Sequence, residues 1–180
     1  MKIFHVFLVD GKKKPAMILF SNMQKVAFYT LGCKSNQYET ESMKSQMAEH
    51  GFEIVDFHSP ADYYIINTCT VTSNADRKAR NVIRLAKKRN PQAEVIVTGC
   101  YSEVAPEEIK QLGVVDQLIG IHDKSKLLNH IRPDRKTARL PDRQTARHVR
   151  VRESLMIEDG CDNFCTYCIV PYTRGPSRSR

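Results

Sequence analysis

The chain has 180 residues, 41% of them hydrophobic and 27% charged, enough apolar material for one packed domain and part of another. No run reaches the roughly 18 apolar residues of a membrane span. Net charge is +8 and unevenly spread. Residues 132–152 hold seven arginines and Lys136 against only Asp134 and Asp142, a basic stretch that suits either a nearby polyanion or a solvated linker.

Residues 3–9 are apolar behind Lys2. His5 interrupts them, and Asp10-Gly11 and three lysines follow with no small-residue cleavage site. A secretory leader is therefore rejected and a cytoplasmic location expected. Residues 1–22 read as an N-terminal extension of open role, and patterned sequence starts at Met23.

Residues 25–31 predict a buried strand ending in Gly32-Cys33. Asn36 is the expected cap of a helix running through Met43 and Met47 to Gly51. Short strands follow at 52–55 and 63–67. Ser73 or Asn74 is then expected to cap a helix that turns Ala75, Ala79, Val82, Ile83 and Ala86 inward and ends at Pro91. Residues 94–98 form a strand with a Gly99-Cys100 turn. Pro106, Glu107 and Glu108 open a third helix ending at Gly113. A fifth strand over 114–119 and a short helix over 123–130 complete the pattern.

Strands and helices alternate, which predicts an α/β fold: a five-stranded, mostly parallel sheet with helices on both faces. The expected organisation is an extension over 1–22, an α/β domain over 23–131, a basic linker over 132–153 and a further region over 154–180. The linker holds an eight-residue repeat, 133–139 echoed in 141–147, too short for a solenoid unit. A strand at 155–157 leads into the last cysteines.

Cys33, Cys69 and Cys100 share one context: each follows a strand, sits in a turn of small residues and precedes a helix. In a parallel sheet all strand C-termini lie along one edge, where ligands bind. Helix N-termini there favour thiolates and anionic groups. Three thiolates suit an iron–sulfur cluster with one open iron. Zinc would want a fourth ligand or a water, and three buried structural cysteines are the plain alternative.

Cys161, Cys165 and Cys168 are spaced to wrap one cluster in one loop. Three ligands leave the fourth iron of a 4Fe–4S cube open, unlike the four-cysteine ferredoxin runs. The competing reading is a zinc knuckle, for which no fourth Cys or His lies close by; His148 is 13 residues upstream of Cys161. Tyr167, just before the last cysteine, matches the radical-SAM signature.

Over residues 23–180 the sequence resembles the radical-SAM methylthiotransferase family. The blocks that carry the resemblance are Thr30 to Lys34 with Asn36 to Glu41, Asn67 to Thr72, Thr98 to Tyr101, Asp159-Gly160 with the cysteine triplet, and Arg174-Gly175 with Arg178-Ser179-Arg180. The resemblance implies two 4Fe–4S clusters. An auxiliary one on Cys33, Cys69 and Cys100 would carry sulfur. A radical-generating one on Cys161, Cys165 and Cys168 would bind S-adenosyl-L-methionine, with Tyr167 in the cofactor site. It further implies a transferase that inserts a methylthio group, with tRNA as partner at the anticodon loop and an electron donor such as flavodoxin or ferredoxin.

The wording around Cys33 and Cys69 is most similar to the branch acting on C2 of N6-threonylcarbamoyladenosine at tRNA position 37. The isopentenyladenosine and ribosomal-protein aspartate branches are alternatives, as is a non-catalytic iron–sulfur or RNA-binding module. Arg77, Arg80, Arg84 and Lys88 would form one basic stripe, facing either a tRNA backbone or solvent. Tyr38 and Tyr101 flank cluster cysteines and either shape access or simply pack. The family's catalytic barrel takes roughly 200 residues or more, so 154–180 is expected to hold only its first strand and cluster loop, and the fragment alone to be inactive.

Overall fold

The computed structural model describes residues 23–131 and 154–179. The extension over 1–22 and the basic linker with its repeat lie outside the described residues. The first β-strands are β1 (Lys25–Thr30), β2 (Glu53–Val55), β3 (Tyr63–Thr68), β4 (Glu94–Gly99) and β5 (Gln117–Ile119). They form one sheet in the order β2-β1-β3-β4-β5, with every pairing parallel. The helices are α1 (Lys34–Glu49), α2 (Ser73–Arg89), α3 (Cys100–Val104), α4 (Pro106–Lys110) and α5 (Leu127–Ile131), the last preceded by a 3-10 turn over Ile121–Lys126.

Alternate side chains of the central strands feed two cores, as the two-residue period of a strand requires. Ala27, Tyr64, Ile66, Val95 and Val97 pack with Ala79, Val82, Ile83 and Ala86 of α2 and Ile109 of α4. Val26, Phe28, Ile65 and Ile96 point to the other face, against Met43 and Met47 of α1 and Leu127, Leu128 and Ile131 of α5. Helices thus cover both faces, and β3 and β4, buried on each side, are near-continuous apolar runs. Among the described residues no helix is long and apolar enough to cross a membrane.

Several local expectations shift. Cys33, not Asn36, stands at the N-cap of α1, and Asn36 lies fully buried in the first turn. Its amide donates instead to Leu31 O (2.8 Å) and Thr68 O (3.0 Å), tying α1 to the ends of β1 and β3. Thr72 caps α2, its hydroxyl accepting from Ala75 N. The third helix expected from Pro106 is α4, and a short helix, α3, precedes it where the sequence predicts only a Gly99-Cys100 turn; Pro106 at the first position of α4 keeps the two from running together. Residues 155–157 form no strand. The two-residue strand β6 (Glu158–Asp159) follows them and pairs antiparallel with β7 (Arg178–Ser179), with α6 (Val170–Arg174) between.

Candidate functional site

The order β2-β1-β3-β4-β5 has its switch point between β1 and β3, where a doubly wound sheet opens a crevice at its carboxyl edge. The three cysteines leave the sheet along that edge. Thr30 is in register with Asn67, and Thr68 with Gly99. Cys69 and Cys100 therefore leave neighbouring strands at matching positions, and Cys33 leaves β1 on the far side of β3.

Glycine allows this crowding. Gly32 has φ +112°, and a Cβ on it would lie 2.7 Å from Cys69 Cβ and 3.0 Å from Cys69 Sγ. Gly99 has φ +106°, and a Cβ there would meet Thr68 N at 2.6 Å and Asn67 Oδ1 at 2.7 Å. Both Gly-Cys steps need a backbone region that L side chains rarely adopt.

Cys69 and Cys100 are buried and Cys33 is exposed; all three are free thiols. The Cys33 thiol donates to Asn36 Oδ1 at 3.8 Å. Burial pushes the Cys100 thiol up, while Arg174, Lys124 and a hydrogen bond with Thr173 pull the other way. Among the described residues no three Cys, His, Asp or Glu side chains converge as a ready metal-holding group: the thiols share an edge without meeting at a point. Three soft thiols are a donor set of the kind that suits a thiolate-bound metal group.

A buried polar cluster lies beneath the edge, on the α1 face. Asn67 donates through Nδ2 to Asn36 O (3.0 Å) and Thr40 Oγ1 (3.1 Å) and accepts from Lys124 Nζ at 3.1 Å. Glu39 binds Lys124 through Oε2 and Arg174 Nη1 through Oε1, the latter at 2.8 Å. Arg174 Nη1 also donates to Asp159 Oδ1 (2.7 Å), and Nη2 to Asn36 Oδ1 (2.7 Å). Two cations thus face two carboxylates, which satisfies the burial rule for charge. Burial pulls Lys124 down, opposed by Glu39. Glu39, Asn67 and Arg174 fall within the sequence blocks named above, which assign them no role; Lys124 and its pairing with Glu39 escape sequence reasoning altogether.

The second thiol set lies on the loop between β6 and α6. Cys161 and Cys168 are half-buried and Cys165 exposed. The loop closes through Cys161 N to Gly175 O (3.1 Å) and Cys168 N to Cys165 O (3.0 Å). Phe164, at φ 44°, packs edge-on against Tyr172. Tyr167 is 92% exposed.

The basic stripe is partly consumed. Arg80 Nη1 donates to Tyr101 Oη at 2.7 Å, and that phenol donates to Glu108. Tyr101 is buried, packing in the α2 core, and Tyr38 is buried, lining with Glu39 and Lys124 a cavity that none of the six cysteines borders. Arg77, Lys78, Arg84 and Lys88 stay exposed.

The model of the uncharacterized protein family UPF0004 matches residues 25–120, from the start of β1 to just past β5. The chain belongs to UPF0004. This UPF0004 chain is 43% identical over 177 residues to the threonylcarbamoyladenosine tRNA methylthiotransferase MtaB of Bacillus subtilis, covering 88% of the chain and 38% of that relative. It is 41% identical to the MtaB of Aquifex aeolicus (86% and 41% covered). It is 34% identical to a tRNA-2-methylthio-N(6)-dimethylallyladenosine synthase of Thermodesulfovibrio yellowstonii (84% and 38% covered). The chain thus spans about two fifths of these relatives' length, and the similarity runs beyond the family model.

Proposed function

We propose that this UPF0004 chain is part of a radical-SAM methylthiotransferase acting on tRNA, with C2 of N6-threonylcarbamoyladenosine at position 37 as the modified atom. The observation that carries the reading is the arrangement of Cys33, Cys69 and Cys100 on one carboxyl edge of adjacent parallel strands, beside a second three-thiol loop. Identity supports the substrate branch: 43% and 41% to two threonylcarbamoyladenosine enzymes against 34% to a dimethylallyladenosine enzyme.

Cys33, Cys69 and Cys100 would hold one 4Fe–4S cluster and Cys161, Cys165 and Cys168 another, with S-adenosyl-L-methionine bound near Tyr167. Such clusters supply radical chemistry and sulfur when bound. The chain's own residues hold the frame: Gly32 makes room for Cys69, Gly99 lets β4 end close against β3, and Asn36, Asn67 and Glu39 fix α1 against the strand ends. The exposed cations of α2 suit an RNA backbone. An electron donor of the flavodoxin or ferredoxin type and a cytoplasmic location belong to the same reading.

Anaerobic reconstitution tests the iron part: about eight irons per chain are expected for two cubes. Changing Cys33, Cys69 and Cys100 together to Ala should remove half of them; unchanged iron makes those thiols structural. Mass spectrometry of tRNA nucleosides from a strain lacking the gene tests the substrate. Loss of 2-methylthio-threonylcarbamoyladenosine is expected, and loss of the isopentenyl analogue instead moves the chain to the other branch.

A further inference from the structure

Two neighbouring residues of α6 reach the strand-edge thiols by separate routes. Thr173 is buried where α6 packs on α3, the helix that Cys100 opens. Arg174 Nη2 donates to Asn36 Oδ1 at 2.7 Å, the same oxygen that accepts from the Cys33 thiol. On its other side Arg174 bonds Asp159, two residues before Cys161, and the carbonyl of Gly175 takes the Cys161 amide. One guanidinium therefore stands between the two thiol sets.

Its surroundings make that position costly to abandon. The Arg174 side chain is 5% exposed and Glu39 14%, and Lys124 occupies the other Glu39 oxygen. Removing one partner of a buried pair strands the others. The planar fork that bonds Glu39, Asp159 and Asn36 at once has no equivalent in an ammonium.

We infer that Arg174 is a positioning residue that locks the 161–168 thiol loop against the strand-edge thiols. The lock is a property of the polypeptide; only its bearing on iron–sulfur chemistry rests on the methylthiotransferase reading.

The test uses the metal-free chain, with peptide-resolved hydrogen exchange and iodoacetamide labelling of Cys100 read by mass spectrometry. Arg174→Met should raise exchange across 158–179 and labelling of Cys100 by about a hundredfold, the scale of a broken buried pair. The amides of β3 and β4 should stay protected. Arg174→Lys, which keeps one ionic contact, should restore part of the protection. A wild-type segment already exchanging like a free peptide, or an Arg174→Met chain within twofold of wild type, overturns the lock. Should Arg174→Met fail to fold, Asp159→Asn weakens the Arg174 partner in the C-terminal segment and must loosen 158–179 in the same pattern, with Arg178→Ala as the control for the longer Asp159–Arg178 pair at 3.6 Å; an Asp159→Asn chain no looser than Arg178→Ala also overturns it. Iron stoichiometry, measured separately on the wild-type chain, bears on the cluster reading and not on the lock.

Discussion

Gly32 and Cys69 stand closer than a side chain at position 32 would allow, since a Cβ there would sit 2.7 Å from Cys69 Cβ. Gly32→Ala must therefore displace Cys69 and also adopt φ +112°. Gly51 makes the control: its φ is +82°, but nothing lies within 4 Å of a Cβ there. Gly51→Ala is expected to cost about 1 kcal/mol from backbone strain alone and Gly32→Ala about 3 kcal/mol, measured by urea denaturation. If the two proposed clusters are held by this chain, Gly32→Ala should also lose the iron of the strand-edge set while the triplet keeps its own. Equal costs for the two variants would mean that the crowding against Cys69 carries no weight.

Two buried polar residues at the strand ends should respond in opposite senses. Asn67 is fully buried and bonded to Asn36, Thr40 and Lys124. Asn67→Ala leaves those groups short of partners and is expected to cost about 2–4 kcal/mol. Thr98 is equally buried, yet its hydroxyl has no hydrogen-bond partner among the described residues. Thr98→Val keeps the shape and removes the unmet group, so it should be neutral or stabilising by up to about 1 kcal/mol. Denaturation midpoints of the two single variants decide the matter, and a destabilised Thr98→Val would reveal a partner for the hydroxyl.

The difference between these residues also explains what is legible in the sequence. The sheet is readable because β3 and β4 are unbroken β-prone runs, and α2 because Ala79, Val82, Ile83 and Ala86 recur at helical spacing and all lie buried. The strand-edge thiols are readable because Gly32-Cys33 and Gly99-Cys100 each end a strand. The cap expected at Asn36 falls elsewhere because an asparagine there has two uses, and tying β1 to β3 outweighs closing a helix end. The Glu39 cluster leaves no local trace: its partners Lys124 and Arg174 lie 85 and 135 residues away, and no periodicity records a pairing at that distance.

The cations of α2 divide into two kinds, and salt dependence of RNA binding should separate them. The helix carries seven Arg and Lys residues against Asp76 alone. Arg80, Lys87 and Arg89 are engaged with Tyr101, Asp116 and His58, whereas Arg84 and Lys88 are exposed. If RNA runs along this face, changing Arg84 and Lys88 together to Ala should lower the slope of log affinity against log salt by about two, one for each phosphate no longer neutralised. Arg80→Ala should leave the slope nearly unchanged and lower stability instead. A slope unmoved by the double variant would take the RNA off this helix.

Tyr101 gives the chain a specific alkaline dependence. Burial, and then the hydrogen bond to Glu108, hold its phenol above the ordinary range, which is near 10. The folded chain therefore keeps the phenolic proton longer than the unfolded chain does. That contribution to stability is fully present below about pH 10 and is lost as pH rises through the raised folded value. At pH 7 Tyr101→Phe is expected to cost about 1–2 kcal/mol, softened because Arg80 and Glu108 already stand 3.5 Å apart and can pair directly. Above pH 10 the wild type should lose its advantage and the two stability curves should converge. Parallel curves between pH 9 and 11 would mean that the phenol titrates alike in both states, and that the Arg80–Tyr101–Glu108 chain does not restrain it.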